Sequence, residues 1–346
     1  MFKFPELLDF GKEIAEAIDK IFTWIQNALS WFFEAVRLII LTSIQFIQNF
    51  LSNTPWWLWL LAIIVFFVTK YLFNKKTQIL SVAGLFLGWL LFYNMVIENP
   101  AININLGNLQ TPWWIFVVLL FVVTKYLYNY KTATILTSLL LMIGIFGVWE
   151  EMISTLTIII LSVIISFFIG IPLGILMAKS SHVEKILAPI LDMLQTIPAF
   201  VYLIPAVMLF EHGRVPATFA TTIYAVPPLI RLTYLGIRNT DKEMIEAGKS
   251  FGSTFSQLLF KVEIPQALTT IATGLNQTTM MAVAMVVTAS MIGAGGLGDI
   301  VLSANRRIQI GRGFVGGFAI VALAIILDRL LQGIAIKIDS KKGVAS

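Results

Sequence analysis

The chain has 346 residues, of which 58% are hydrophobic and 12% are charged, against roughly 25% charged in an ordinary soluble domain. So much apolar surface needs lipid as its solvent, which excludes a soluble enzyme, a nucleic-acid-binding domain and a secreted disulfide scaffold. The net charge is +5, and the chain has no cysteine and two histidines, which is too few ligands for a cysteine- or histidine-based metal site.

The first 53 residues are predicted to form an external amphipathic segment, 1–53. Residues 1–20 mix charged and apolar positions and lack the continuous apolar run of a signal peptide. From Asp19 to Ser52 polar residues recur every 3 to 4 positions, with one gap, which is a helical period with a wide apolar face. Such a helix is expected to lie in the membrane interface. The alternative is a membrane-spanning helix over 31–50.

Apolar runs after Asn53 predict nine membrane spans, because about 20 apolar residues cross the hydrocarbon core of a bilayer. The predicted spans are 56–73, 78–97, 113–128, 133–149, 152–178, 190–210, 215–237, 268–291 and 314–336.

The first four spans form an internal repeat. TPWW at 54–57 recurs at 111–114, and VTKYLFNKKT at 68–77 recurs as VTKYLYNYKT at 123–132. We therefore expect two copies of one transmembrane hairpin, followed by a core and a short tail. The first hairpin is predicted over 54–110, the second over 111–150, the core over 151–336 and the tail over 337–346.

The distribution of lysine and arginine predicts the orientation of the chain. One set of alternate connecting segments holds 14 of these residues, and the opposite set holds 4. Because cytoplasmic loops are enriched in Lys and Arg, the N-terminus and the loops 98–112, 211–214 and 292–313 are expected outside. The C-terminus is expected in the cytoplasm.

Two motif matches do not predict a nucleotide site. Gly248-Lys249-Ser250 is like the end of a phosphate-binding loop, but the glycine required five positions earlier is Glu243. The segment 293–298 has the G-x-G-x-x-G spacing of a dinucleotide-binding turn but follows an apolar helix rather than a strand. We therefore expect no cofactor in this chain, and the clustered glycines indicate close backbone packing.

The cytoplasmic segment 238–267, RNTDKEMIEAGKSFGSTFSQLLFKVEIPQA, is predicted to form two short helices at right angles. Asp241 can cap a helix over 242–250, and Gly252 can end it by adopting a positive φ. The second helix is predicted over 254–262. One face of this helix is apolar and carries Phe255, Leu258, Leu259 and Val262. The pair makes a knob suited to insertion into a groove of another protein.

This segment resembles the EAA loop of ABC importer permeases, whose pattern is E-A-A-x3-G-x9-I-x-L-P. The matching residues are Glu246, Ala247, Gly248, Gly252, Val262, Ile264 and Pro265. Gly248, Val262 and Ile264 depart from the pattern by small or isosteric changes. Four further segments resemble the permease subunit of glycine betaine/proline betaine importers, so that the resemblance covers roughly 152–335. These segments are 192–210, 224–237, 274–298 and 324–332.

The resemblance implies an all-α, multi-pass protein of the bacterial plasma (inner) membrane with a type I, MetI-like permease core. It implies a homodimer of permease copies, two cytoplasmic ATPases that bind ATP-Mg, and an external substrate-binding protein that delivers solute. The EAA residues would form the ATPase-coupling loop, and this chain would not be an enzyme. The implied solute is a small quaternary ammonium osmolyte such as glycine betaine or proline betaine, with choline and trimethylamine N-oxide as alternatives. The duplicated hairpin departs from the family, which has one such pair.

Polar residues inside the predicted spans are candidates for the lining of the solute pathway, because an unpartnered polar group in hydrocarbon is costly. The candidates are Asp192, Gln195, Thr196, Asn276 and Gln277. The alternative is a hydrogen bond between helices. Arg231, Asp328 and Arg329 are expected to form ion pairs at the cytoplasmic ends of helices.

The loop 292–313 is a candidate for the outer gate and for docking of the binding protein. Its glycines Gly295, Gly296 and Gly298 allow a tight turn. Its basic residues are Arg306, Arg307 and Arg312. These arginines either steer an acidic surface of the binding protein or reach lipid phosphates.

Three other classes of membrane protein fit the sequence less well. An ion-coupled secondary transporter needs carboxylates near the bilayer midplane, and none lies centrally in a predicted span. A scaffold or sensor has no need of an EAA loop. A membrane enzyme needs a catalytic or metal cluster, and none is visible in the sequence.

Overall fold

The computed structural model describes residues 11–54, Trp59 and residues 112–343. Every regular element in these residues is helical. The helices are α1 (Gly11–Ala28), α2 (Ser30–Asn53), α3 (Trp113–Leu127), α4 (Tyr130–Ile145), α5 (Trp149–Lys179), α6 (Ser181–Thr196), α7 (Leu203–Phe210), α8 (Arg214–Arg238), α9 (Lys242–Ser250), α10 (Phe255–Leu258), α11 (Ile264–Ala289), α12 (Leu297–Arg306) and α13 (Ile310–Gly343). Apart from Thr54 and Trp59, the predicted segment 54–110 with its spans 56–73 and 78–97 lies outside the described residues.

Helices overlie six of the predicted spans, namely α3, α4, α5, α8, α11 and α13. Among the described residues four helices are long and apolar enough to cross a membrane: Ser30–Asn53, Trp149–Lys179, Phe255–Ile292 and Ile310–Lys337. The pair α3 and α4 is apolar but shorter. The 25-residue α8 is less apolar and buries most of its side chains among its neighbours. The count of nine spans stays a prediction.

The predicted span over 190–210 is not one continuous helix. The chain breaks after α6 and continues through a short 3-10 turn (Ala199–Tyr202) into α7, and the two parts are bent by 109°. Pro198 causes the break, because a proline pushes the residue before it out of the helical region. Ile197 is accordingly extended, with φ −68° and ψ 129°.

The N-terminal helices α1 and α2 differ in their contacts. The side chains described for α1 are nearly all exposed, so the interfacial interpretation stays a prediction for α1. In contrast, α2 buries Ile40 and Ile44 against Leu161, Phe210 and Val215 of the core. Its length and apolar composition are sufficient for a membrane-spanning helix, which is the alternative interpretation of this segment.

Close contacts between parallel helices build the centre of the bundle. The Ser162 hydroxyl donates to the Thr218 carbonyl at 3.3 Å, and the Ser166 hydroxyl approaches the Thr222 carbonyl at 3.5 Å. One turn and two turns further along α5, Gly170 and Gly174 lie against α8 without room for a side chain. Small residues and hydroxyl groups are the usual contacts between membrane helices, because they let backbones approach closely.

Both remaining long helices pack on this centre. Gly274 of α11 lies against Leu229 and Leu232 of α8, so that α8 is enclosed between α5 and α11. Gly316 of α13 lies against Ile300 of α12. The bundle thus has α5, α8 and α11 at its centre, with the segment 239–263 emerging between α8 and α11 at one end.

Candidate functional site

The loop between α8 and α11 forms a compact projection, which we call the knob and define as residues 241–263. Its first helix, α9, has the predicted bounds 242–250 and is capped by Asp241, whose carboxylate accepts a hydrogen bond from the Glu243 amide at 2.9 Å. The side chain of Gln266 at the base of α11 accepts a hydrogen bond from the Asp241 amide at 3.2 Å. The start of the knob is therefore held to α11.

A glycine turn separates the two arms of the knob. Gly252 has φ +73°, its amide donates to the Lys249 carbonyl at 2.9 Å, and the Ser253 amide donates to the Gly248 carbonyl at 3.2 Å. These two bonds form a Schellman motif, which requires a left-handed residue. Thr254 and Gln257 then cap α10 reciprocally.

The second arm differs from the predicted α-helix over 254–262. It is the single turn α10 followed by a π-helical turn, Leu259–Glu263. Of the predicted apolar face, Leu258 and Leu259 are buried, whereas Phe255 is 62% exposed. A Cβ atom at Gly248 would lie 2.8 Å from the end of the Leu258 side chain, so that a glycine at this position lets the two arms meet.

All seven EAA residues lie in the knob or at its exit into α11. Glu246 and Ala247 are exposed on α9, and Ile264 and Pro265 are half-buried in the first turn of α11. Large apolar side chains are also exposed on the knob. These are Met244, Phe251, Phe255 and Phe260, of which Phe251 is 90% exposed. Exposed apolar residues of this size mark a surface that a partner protein or the membrane covers.

The predicted pathway residues are not brought together. Asp192 forms an ion pair with Arg231 at 2.5 Å, which confirms the expected pairing of Arg231. Gln195 and Thr196 are exposed at the end of α6, and Gln277 is exposed on α11. A lining role for these residues stays a prediction.

Asn276 makes the hydrogen bond between helices that was the alternative to a pathway role. Its amide donates to the Asp328 carboxylate of α13 at 2.8 Å. The Gln332 amide donates to both oxygens of the same carboxylate, at 2.7 and 2.8 Å. Arg329 Nε lies 4.0 Å from the Asp328 carboxylate, so that the expected ion pair is present at long range and the amide groups make the short contacts to this carboxylate.

The glycine-rich turn before α12 is held by two hydrogen bonds. Gly293, Gly295 and Gly296 all have a positive φ, as clustered glycines predict. The Thr155 hydroxyl of α5 accepts from the Leu297 amide at 2.8 Å, and the Ile292 carbonyl accepts from the Gly213 amide at 2.9 Å. The turn is thereby connected to α5 and to the start of α8.

The surface beyond this turn combines basic and apolar side chains. Arg306, Arg307 and Arg312 are exposed, and Ile308 and Ile310 between them are each 85% exposed. Ile308 has φ +53°, which is a strained conformation for a β-branched residue. Gly298 packs against Val287 and Ser290 of the preceding helix end. Sequence reasoning did not single out Ile308 or Ile310, since no residue type there signals a turn.

Sequence reasoning also missed Lys179 and Glu263. Glu263 is buried at the end of the knob and forms an ion pair with Lys179 at the end of α5. No motif connects two residues that lie 84 positions apart. The only sequence signal was an acidic residue among apolar ones in FKVEIP.

Comparison with known proteins places the chain in a family. Residues 170–339 match the family described as binding-protein-dependent transport system inner membrane component. The chain is 49% identical over 234 residues to the glycine betaine/carnitine transport permease protein GbuB of Listeria monocytogenes, a match that covers 66% of this chain and 83% of GbuB. It is 50% identical over 195 residues to the glycine betaine/proline betaine permease protein ProW of Escherichia coli, covering 56% of this chain and 55% of ProW.

A solved structure supports the fold. The permease core resembles a chain of an inward-facing structure of the MetNI methionine ABC transporter, with a TM-score of 0.51 and 21% identity, covering 55% of this chain and 95% of that one. The predicted all-α, MetI-like fold is thus confirmed. The chain belongs to the family of binding-protein-dependent transport system inner membrane components and is a multi-pass permease subunit of an ABC importer, which works with an ATPase and a substrate-binding protein.

Proposed function

We propose that the chain is the permease through which an ATP-driven importer takes up a small quaternary ammonium osmolyte such as glycine betaine or proline betaine. The observation that supports this most is the identity of 48–50% to three permeases named for glycine betaine: GbuB, ProW and OpuAB of Bacillus subtilis. Identity to the trimethylamine N-oxide permease TmoV of Ruegeria pomeroyi is 38%, and to the choline permease OpuBB of Bacillus subtilis 32%. These two solutes are the alternatives.

The knob is proposed as the contact with the ATPase. A carboxylate cap, a Schellman turn and a capping box fix its shape, and its exposed aromatic side chains supply the apolar anchors that dominate protein interfaces. Two permease copies and two ATPases, with ATP-Mg bound by the ATPases, complete the proposed assembly. Glu246 and Ala247 are exposed on the same arm as Phe251 and would lie in the interface.

The knob and the C-terminus are proposed to lie in the cytoplasm, and the N-terminus and the loop at 211–213 outside. The excess of Lys and Arg on one set of loops supports this orientation. The chain has no cysteine, so single cysteines report cleanly. We expect His212→Cys to react with a membrane-impermeant maleimide in intact cells and Ser256→Cys to react only after the membrane is opened. Equal protection of both cysteines would contradict the orientation.

The basic and apolar surface around Arg306, Arg307 and Arg312 is proposed as the landing site of the binding protein, and the turn at Gly295, Gly296 and Gly298 as part of the outer gate. Charged residues exposed on a rim steer association more than they add affinity. Reversal of Arg306 and Arg307 to glutamate should therefore raise the concentration of loaded binding protein that half-maximally stimulates ATP hydrolysis, by roughly tenfold at low salt. Added salt should raise the same concentration in the wild type.

Lys131→Glu provides the matched control for this charge reversal, because Lys131 is exposed at the start of α4 and the nearby Tyr128 packs against Gly333, at the opposite end of α13 from Arg312. It should leave the stimulation unchanged. If the Arg306/Arg307 variant responds to binding protein at the wild-type concentration, the arginines serve lipid phosphates rather than docking.

The proposed substrate is tested in proteoliposomes that contain the permease and its ATPase. ATP-dependent accumulation of labelled glycine betaine should require the loaded binding protein, and excess proline betaine should compete with it. Accumulation of choline or trimethylamine N-oxide with no uptake of glycine betaine would assign the permease to one of the alternative solutes.

A further inference from the structure

Glu263 is unusual among the described residues, because its side chain is charged and only 2% exposed. A buried carboxylate is unfavourable unless a partner compensates its charge. Its position adds a second unusual feature, since it ends the π-helical turn Leu259–Glu263. Such turns are rare and are found frequently at functional sites.

The partner of Glu263 comes from a different helix. The ammonium group of Lys179, the last residue of α5, contacts Oε2 of Glu263, and the Lys179 side chain is 27% exposed. No other donor among the described residues reaches this oxygen. The same ammonium lies 5.5 Å from the centroid of the Phe255 ring, a favourable position over an aromatic face. One side chain of α5 thus holds both ends of the second arm of the knob.

The connection matters because α5 is not joined to the knob along the chain. The knob continues directly into α8 and α11, whereas α5 meets it only in space. Leu259 packs in the apolar cluster that includes Ala178 of α5, and the Lys179–Glu263 pair is the polar link beside it. An apolar contact permits sliding, but an ion pair with a fixed partner defines one arrangement of the two elements.

The other end of α5 holds the glycine-rich turn of the proposed outer gate. Thr155 accepts the hydrogen bond of the Leu297 amide at 2.8 Å. The helix extends over 31 residues from Trp149 to Lys179, with Pro172 inside it, which is about 46 Å at the α-helical rise. One helix therefore contacts the knob at one end and the turn at the other.

We propose that the Lys179–Glu263 pair is the positioning contact that transmits movement of the knob to α5 and, through α5, to the glycine-rich turn at 293–296. This inference rests on the proposed function of the knob. It assigns to Lys179 and Glu263 a role in coupling: without the pair the ATPase still docks and hydrolyses ATP, but its movement no longer reaches the outer turn.

The test compares Lys179→Met, Glu263→Gln and the exchange of the two charges, Lys179→Glu with Glu263→Lys, in the complete transporter in proteoliposomes. The measured quantity is the amount of glycine betaine imported per ATP hydrolysed. Each single variant should lower this ratio about tenfold, within the usual range of coupling between distant sites, while ATP hydrolysis in the absence of binding protein stays near the wild-type rate. The charge exchange should restore much of the ratio. Lys185→Met, an exposed lysine on α6, is the matched control and should change nothing.

A second measurement follows the outer turn directly. A single cysteine at Asn305, exposed at the end of α12, carries an environment-sensitive fluorophore. With loaded binding protein already present, addition of ATP should change its emission in the wild type and not in Lys179→Met.

The outcomes separate this inference from the proposed function. A wild-type import ratio in the single variants, or no recovery in the charge exchange, overturns the role of the pair. Loss of ATPase binding in the single variants also overturns it, because the pair would then only hold the shape of the knob. A failure of the proposed function is distinct, since the wild-type complex itself would then not import the osmolyte.

Discussion

Gly252→Val is expected to reduce ATP-driven uptake at least fivefold without preventing insertion of the permease into the membrane. No atom lies within 4 Å of the position of an added Cβ, so the effect is not steric crowding, but the residue has φ +73°. A left-handed conformation costs about 1–2 kcal/mol for a residue with a Cβ, and more for a β-branched one. The valine therefore favours a turn in which the two arms of the knob no longer meet.

Gly252→Asn is the matched control, because asparagine tolerates the left-handed region. We expect it to retain at least about half of the uptake, whereas an alanine should give an intermediate value. Both are measured as ATP-dependent uptake at equal amounts of membrane protein. Equal uptake by the valine and asparagine variants would show that the conformation of Gly252 does not shape the coupling surface.

Gly174→Ala is expected to destabilise the bundle and abolish transport. An added Cβ would lie 2.5 Å from Thr233 Cβ and 2.8 Å from the Ile230 carbonyl oxygen. A backbone atom of a central helix cannot move aside as the end of a flexible side chain can, so α5 and α8 must separate. Overpacking of this kind costs about 1–3 kcal/mol. A lower melting temperature of the purified permease and loss of uptake are the expected results.

Gly144→Ala in α4 makes the same chemical change without the same contact. Its nearest atom to an added Cβ belongs to Trp149 at 3.8 Å, which is ordinary van der Waals contact. We expect melting temperature and uptake to stay at wild-type values, or the melting temperature to rise slightly because alanine favours the helix. If both alanine variants melt at the wild-type temperature, α5 and α8 do not pack as closely as described.

The parts of the fold that sequence predicted well depend on local interactions. Asp241 and Gly252 bound α9 at the predicted residues, because a capping carboxylate and a left-handed glycine act within one turn of the helix they limit. Composition sufficed for the long spans, because lipid selects apolar residues regardless of their neighbours. The family resemblance rested on the spacing within the EAA loop and on four further short segments, each of which can be recognised without knowing its partners in the fold, and it was confirmed.

The parts that sequence reasoning missed depend on partners far along the chain. The π-helical turn ends at Glu263, whose partner Lys179 lies in another helix. Asn276 was a pathway candidate because its partner Asp328 is 52 positions away. The bend at Pro198 is different, because its signal was local. The proline lies inside the apolar run 190–210, and the span was predicted from the hydropathy of that run without regard to the proline.

The central claim, that the knob is the surface on which the ATPase acts, is tested most directly by cross-linking. A single cysteine replaces Ser256, which is exposed in α10 of the knob, in the otherwise cysteine-free chain. A short bifunctional cross-linking reagent is then added to the transporter. A variant with a single cysteine at His212 serves as the comparison. The account predicts a cross-link from Ser256→Cys to the ATPase subunit, with a yield that changes when ATP binds, and none from His212→Cys. An active transporter that gives no ATPase cross-link from the knob, or gives one from position 212, would contradict it.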